Sequence, residues 1–144
     1  MKIREVMTNP VIRIRPEEPV AVAARTLARY NIGSLPVCGS DDRVCGLVTD
    51  RDIVTRCLAA GRSPASTTVA DVMTGRVISA APDMDTGVAA HLMGREQVRR
   101  LPVLEENKVV GMVSLGDLAR SQRCDMEAGK ALSEISEPVK KLYP

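Results

Sequence analysis

The sequence predicts a mixed fold of the α/β class, α+β in type, built from two tandem β-α-β-β-α copies. Two observations predict it. The first is an internal repeat. Val6-Met7-Thr8 returns as Val72-Met73-Thr74 at an offset of 66 (72 minus 6), and at the same offset Pro16 returns as Pro82 and Leu35-Pro36-Val37 as Leu101-Pro102-Val103. After that the offset falls by one, so that Gly46-Leu47-Val48-Thr49 aligns with Gly111-Met112-Val113-Ser114 and Asp52 with Asp117. The missing residue falls in a polar turn, where residues 38–43 face the shorter 104–108; a surface turn absorbs a deletion with little effect on the elements it joins. The second observation is that apolar periodicity changes in the same order within each copy, from extended to helical and back.

Each copy opens on a short extended piece, 11–14 and 77–80, closed by a proline shortly after. A helix over 19–31 follows, with Val20, Ala23, Ala24 and Leu27 at helical spacing, and Val88, Ala89, Leu92 and Met93 repeat the spacing in copy two. Glu17 and Glu18, or Asp83 and Asp85, stand where acids favour a helix start. Two strands over 35–38 and 44–49, joined by a Gly/Asp turn, read as a hairpin. A second helix over 50–60 ends at Gly61, and Pro64 keeps it from resuming. The boundaries that result are 1–61 for the first copy, a polar linker at 62–68 and 69–121 for the second copy. The tail, 122–144, departs from the repeat; Met126, Leu132 and Ile135 predict an amphipathic helix that ends before Pro138. A copy of about sixty residues does not bury an apolar face well by itself, so the two are expected to pack on each other.

Composition narrows the chemistry. Of 144 residues 44% are apolar, with no Phe, no Trp and only Tyr30 and Tyr143. The core must therefore be aliphatic, with Met7 and Met73 expected inside it, and with Gly46 and Gly111 marking close backbone approach. A net charge of +2, with Arg95, Arg99 and Arg100 as the densest basic group, disfavours nucleic acid, and stacking aromatics are missing. No apolar run reaches membrane length and MKIREVMT lacks a leader's apolar stretch, so the chain reads as cytoplasmic, with no membrane role. Cys38, Cys45, Cys57 and Cys124 show no CxxC and no ligand spacing with His91, which reads as an exposed polar residue. They read as reduced, small apolar side chains; a disulfide or metal role stays open for Cys38 and Cys45, expected to face each other across the hairpin. Nothing supplies a nucleophile with its base and orienting group, so the chain does not read as an enzyme.

What remains is the end of the second hairpin strand. In GLVTDRDIV an apolar strand closes on Thr49, with Asp52 three residues later; Ser114 and Asp117 repeat this. A hydroxyl and an acid at that spacing make a capping box, worth on the order of 1 kcal/mol. They also suit a ligand bearing hydroxyls and phosphates. A carboxylate is acceptor-only and a cis-diol offers two donors. A cap and a ligand contact can coexist.

The ordered set V-M-T, L-P-V and G-h-V-[ST]-x-x-D, present twice from position 6 to about 121, resembles the CBS domain family, whose tandem pair is called a Bateman module. Copy one is similar to small stand-alone bacterial CBS-pair proteins. The resemblance implies two CBS motifs packed with pseudo-two-fold symmetry and clefts between them for an adenosine-containing small molecule: AMP, ADP, ATP, S-adenosylmethionine or NAD. It implies a first cleft of Thr49, Arg51 and Asp52 with Thr74, Val77, Val98, Arg99 and Arg100. A second would use Ser114 and Asp117 with Thr8, Val11, Ile32, Gly33 and Ser34. The aspartate would hold the ribose, and the hydroxyl and the following helix start would lie nearer the phosphates. Arg51, Arg99 and Arg100 favour the first cleft for a phosphorylated ligand, leaving the second for a less charged ligand or none; the arginine pair otherwise reads as a solvated face or as partners of Glu96. The implied role is a regulatory sensor, a homodimer that signals to an unknown protein target in trans. The alternative is a ligand-free dimerising scaffold.

Overall fold

The computed structural model describes residues 1–9, 11–120 and 125–138. Cys124, Tyr143 and the expected boundary at 121 lie outside the described residues. The fold comprises two compact units, each with its own aliphatic core.

The first-copy unit consists of Val11–Val77 and Glu106–Val109. Helix α1 (Val20–Tyr30) buries Val20, Ala23 and Leu27, the stripe its spacing predicts. It ends where Asn31 turns left-handed at φ 52° and gives its N–H to the Ala28 and Leu27 carbonyls. Strands β1 (Ser34–Cys38) and β2 (Val44–Thr49) pair antiparallel, Ser34 opposite Thr49 and Leu35 opposite Val48. Leu35, Val37 and Val48 join the α1 stripe in the core. Helix α2 (Asp50–Ile53) widens into a π-turn at Val54–Leu58, and Gly61 follows at φ +73°, a conformation glycine adopts without strain. The short α3 (Val69–Val72) contributes Val69 and Val72 to the same core.

Two expectations change here. The extended piece at 11–14 contracts to one parallel bridge, Ile14 to Val37. Ile14 donates to the Pro36 carbonyl at 3.0 Å and accepts from the Cys38 N–H at 2.9 Å. Pro16, two residues on, has no N–H with which to extend the ladder. The cysteines also do not oppose each other: a bulge after Val37 sets Cys38 against Val44, so Cys45 is the unpaired residue. Cys38 and Cys57 are buried and free, and Cys45 is exposed and free. Desolvation is the main cause holding the Cys38 and Cys45 thiols above the usual range. Alkylation followed by peptide mapping should label Cys45 well before Cys38, with the Cys45 rate still climbing above pH 9. Equal labelling of the two in the folded protein would contradict this burial.

The second-copy unit holds the described residues of 1–10, 78–105 and 110–144. Helix α4 (Thr86–Glu96) starts at Asp85, whose carboxylate accepts from the Gly87 N–H at 2.8 Å, and ends at a left-handed Gln97 (φ 56°), the repeat partner of Asn31. Strands β3 (Arg100–Glu105) and β4 (Lys108–Ser114) form the second hairpin. Glu106 and Asn107 both have positive φ (51° and 62°), the signature of a two-residue primed turn, and this is where the second copy is one residue shorter. Ala80 bridges Val103 as Ile14 does Val37. Helix α5 (Leu115–Ala119) follows. The tail forms α6 (Asp125–Ile135), which packs on α4 and α5. Its buried residues are Ala128 and Ala131, whereas Met126 is 86% and Leu132 45% exposed. The expected face of Met126, Leu132 and Ile135 is thus corrected: of the three, only Ile135 packs against the core. Close approach selects small residues. A Cβ on Gly94 of α4 would lie 3.1 Å from the Ala131 Cα.

Repeat copies and compact units do not share bounds. Residues 1–9 belong with the second copy and 69–77 with the first. The Ile3 N–H bonds the Met84 carbonyl at 2.9 Å, and the Val69 N–H bonds that of Glu18 at 2.8 Å. The repeated V-M-T segments follow this exchange. Thr74 pairs with Leu47, and Thr8 with Met112, each through two backbone hydrogen bonds of 2.8–3.0 Å. Among the described residues, no helix is long and apolar enough to cross a membrane.

Candidate ligand site

Each V-M-T segment lies against the glycine of a G-h-V-[ST] strand. A Cβ on Gly46 would be 2.6 Å from the Met73 Sδ and 3.0 Å from the Thr74 carbonyl oxygen; one on Gly111 would be 2.5 Å from the Met7 Sδ. Both methionines are half-buried and pack against their cores. Close approach at these glycines brings the V-M-T threonine alongside the strand that ends in the hydroxyl.

Beyond Gly46 that strand ends at Thr49, whose hydroxyl accepts from the Asp52 N–H at 3.0 Å while Asp52 Oδ2 accepts from the Thr49 N–H at 3.0 Å. The capping box is formed. Asp52 is only 8% exposed, so its charge must be met locally. The Thr74 hydroxyl donates to the carboxylate at 3.4 Å, and Arg56 Nη1 stands 3.9 Å from Oδ1. Arg56 also donates to the Val72 and Met73 carbonyls at 3.1 and 3.0 Å. The same box recurs in the second-copy unit. Asp117 Oδ2 accepts from the Ser114 N–H at 2.8 Å, Ser114 Oγ accepts from the Asp117 N–H at 3.0 Å, and Arg120 pairs with Oδ1.

Of the residues expected in the first cleft, Thr49, Asp52 and Thr74 are in direct contact, and Arg51 is exposed beside them on α2. Val77 lies in the same unit, whereas Val98, Arg99 and Arg100 belong to the second-copy unit. There Arg99 and Arg100 line a cavity of about 680 Å³ with Ser114, Gly116 and Arg120. Of those expected in the second cleft, Thr8, Ser114 and Asp117 fall in the second-copy unit, and Val11, Ile32, Gly33 and Ser34 in the first-copy unit. The Gly33 carbonyl accepts the Asp50 N–H at 3.1 Å. Ser34, opposite Thr49, has a buried hydroxyl with no hydrogen-bond partner among the described residues. Sequence reasoning missed Arg56 and Arg120. Their signal was available as an arginine four and three residues after each aspartate, within reach along a helix. His91 is exposed, and no cluster of metal-binding side chains occurs among the described residues.

The family model described as CBS domain matches residues 3–59 and 69–123. The chain belongs to the CBS domain family. It is similar to the CBS domain-containing protein YhcV of Bacillus subtilis, 38% identical over 93% of this chain and 94% of that protein. Among solved structures it resembles Hypoxic Response Protein I crystallised with two coordinated zinc ions, with a TM-score of 0.77 and 35% identity over 83% of this chain and 98% of that one. It also resembles the CBS domain pair of protein MJ0100 in complex with 5′-methylthioadenosine and S-adenosyl-L-methionine, with a TM-score of 0.75 and 26% identity over 83% and 94%. Hypoxic response protein 1 of Mycobacterium tuberculosis is 36% identical over 81% of this chain. Each half here is a small α+β unit of helices around a two-stranded hairpin.

Proposed function

We propose that this CBS pair is a regulatory sensor of an adenine nucleotide or a related adenosyl metabolite, acting on a protein partner in trans. The observation that carries the reading is the duplicated constellation of hydroxyl, carboxylate and V-M-T threonine, built around Thr49, Asp52 and Thr74 and again around Ser114, Asp117 and Thr8. Two further features support it: the buried Ser34 hydroxyl, without a hydrogen-bond partner among the described residues, since buried polar groups are normally paired, and the adenosyl ligands held by the MJ0100 pair. On this reading Asp52 and Asp117 accept the ribose hydroxyls, and ligand binding shifts the population toward one arrangement that the partner reads.

A second reading has an observation of its own. The capping boxes and Arg56 and Arg120 already engage both carboxylates, which is what a ligand-free scaffold requires. Thermal unfolding against AMP, ADP, ATP, NAD and S-adenosylmethionine separates the two. A ligand at about 100 times its dissociation constant adds roughly 2.7 kcal/mol of stability. Asp52→Asn and Asp117→Asn keep an oxygen for the cap but lose the charge and half the acceptor capacity. The ligand-induced rise in midpoint is expected in the wild type and should shrink in one or both variants. A panel that moves nothing in the wild type hands the case to the scaffold.

A further inference from the structure

We infer that the groove between α1 and α2 of the first-copy unit docks a helix of another protein, one that carries two acids seven residues apart along its edge. The repeat supplies the template. In the second-copy unit α6 packs on α4 and α5, and Ala90, Met93 and Gly94 of α4 and Leu118 of α5 are all buried. Their repeat counterparts are Ala24, Leu27, Ala28 and Ile53. With Val54 these line an open groove of about 340 Å³. Ala28 is exposed where Gly94 is buried, Ala24 is half-buried where Ala90 is fully so, and Val54 is 54% exposed. One face of the fold is thus covered by a helix in the second copy and bare in the first, and covering bare aliphatic surface is favourable.

Charge identifies the occupant. Helix α6 runs parallel to α4: Glu127 Cγ lies 3.9 Å from a Cβ placed on Gly87, and Glu134 Cδ lies 3.0 Å from one on Gly94. Two acids seven residues apart therefore follow the flank of α4. The counterparts of Gly87 and Gly94 are Ala21 and Ala28, and Arg25 and Arg29 stand within a turn of both on α1. Both arginines are exposed, and neither has an ion pair among the described residues; Arg29 lies over the Tyr30 ring, 5.4 Å from its centroid. In α4 the same positions hold His91 and Arg95, and Arg95 is already paired with Glu96 at 3.6 Å. Acids spaced like Glu127 and Glu134 on a docked helix would meet Arg25 and Arg29, beside an exposed tyrosine; arginine and tyrosine are enriched where interfaces are strongest. The chain's own α6 is not the occupant. It is engaged on α4 and α5, and its closest approach is at Gly94, where a Cβ would lie 3.1 Å from the Ala131 Cα. Ala28 carries that Cβ, so the groove seats its helix less deeply.

The groove gives the protein partner of the proposed sensor a place to dock, and it rests on that reading for the partner alone, not for the ligand. The test is an NMR titration of the full chain, with a synthetic peptide of the α6 sequence, residues 125–137, as the probe. A second peptide carries Glu127→Lys and Glu134→Lys. The proteins are the wild type, Ala28→Gly, Ala28→Glu and Arg25→Glu/Arg29→Glu. The acidic peptide should shift the amides of Ala24, Ala28 and Val54 in the wild type and bind severalfold tighter to Ala28→Gly. Ala28→Glu and the arginine variant should each weaken it by about tenfold or more. The lysine peptide should bind the wild type poorly and recover on Arg25→Glu/Arg29→Glu. Several results would overturn the docking surface: no shift at about 1 mM peptide, shifts confined to α4 and α5, or affinities indifferent to both charge reversals. Self-association of the wild type that Ala28→Glu abolishes, with no peptide bound, would give the groove to a second copy and overturn it too. The nucleotide-induced rise in melting midpoint is read separately and should be the same in Ala28→Glu as in the wild type. A peptide that binds as described to a chain no nucleotide stabilises would sustain the groove and sink the sensor.

Discussion

Ile3→Ala is expected to cost about 2–5 kcal/mol of unfolding free energy, the usual range for deleting a buried isoleucine. Positions this near a terminus usually tolerate change because little holds them. Ile3 differs. It is 0% exposed, sits in the core with Met93, Leu101 and Val103, and its N–H is bonded to the Met84 carbonyl at 2.9 Å. Truncation leaves a cavity lined by aliphatic groups that relax only in part. In a chain of this size the loss should appear as a fall in melting temperature on the order of 10 °C by circular dichroism. Lys2→Ala, at the exposed neighbour, should change stability by no more than about 0.5 kcal/mol. A drop of about 2 °C or less for Ile3→Ala would mean that residues 1–9 are not part of the second-copy core.

The second large effect is expected at Gly46. Alanine there would bring a methyl to 2.6 Å from the Met73 Sδ and 3.0 Å from the Thr74 carbonyl oxygen. The sulfur ends a flexible side chain and can move. The carbonyl cannot, because its partner is the Leu47 N–H at 2.9 Å. Overpacking of this kind costs about 1–3 kcal/mol, and Gly46→Ala should reach the upper part of that range. At Gly111 the backbone obstacle is softer, the Thr8 carbonyl at 3.2 Å, so Gly111→Ala should cost less. Adding Met73→Ala to Gly46→Ala separates the two obstacles: chemical denaturation should show a favourable coupling that recovers only part of the loss. Full recovery would place the whole cost on the sulfur and contradict the carbonyl's role. Because Thr74 also donates to Asp52, the proposed sensor reading expects Gly46→Ala to weaken ligand response together with stability.

Much of this was legible in the sequence, and the exceptions have physical causes. The α1 stripe of Val20, Ala23 and Leu27 is a strong local signal, and so is the alternation along β2, because a buried face needs the matching period; β1 is buried at every residue from Leu35 to Cys38 and is read from its place before the Gly/Asp turn instead. The first extended piece was overread. Its Val-Ile-Arg-Ile pattern suits a strand, but the nearby prolines that bound it also stop the ladder after one bridge. The tail helix was legible from its apolar residues while its buried face was not: Gly94 admits α6 so closely that alanines suit the contact better than Met126 or Leu132. At the site, the capping geometry of Thr49 with Asp52 and of Ser114 with Asp117 is a four-residue pattern and could be read directly. The position of Arg99 and Arg100 beside Ser114 depends on Ser114 ending β4 next to the start of β3, a pairing between residues distant in sequence. The grouping of Thr8 with the Ser114 strand and of Thr74 with the Thr49 strand is likewise long-range. The repeat by itself shows that both segments exist; it is the family resemblance that sets Thr74 with Thr49 and Thr8 with Ser114, as the bridges Leu47 to Thr74 and Thr8 to Met112 have it.

The exchange of segments between the copies has a consequence for the order of assembly during synthesis. Thr8 is made about a hundred residues before Met112, its backbone partner, which at cellular elongation rates is a wait on the order of 5–20 s. Ile3 waits almost as long for Met84. The first-copy core, by contrast, needs nothing beyond residue 72 among its buried members, and can close while the second hairpin is still being made. Residues 1–9 therefore leave the ribosome early and are placed late, and the apolar side chains of Ile3, Val6 and Met7 stay uncovered in the meantime.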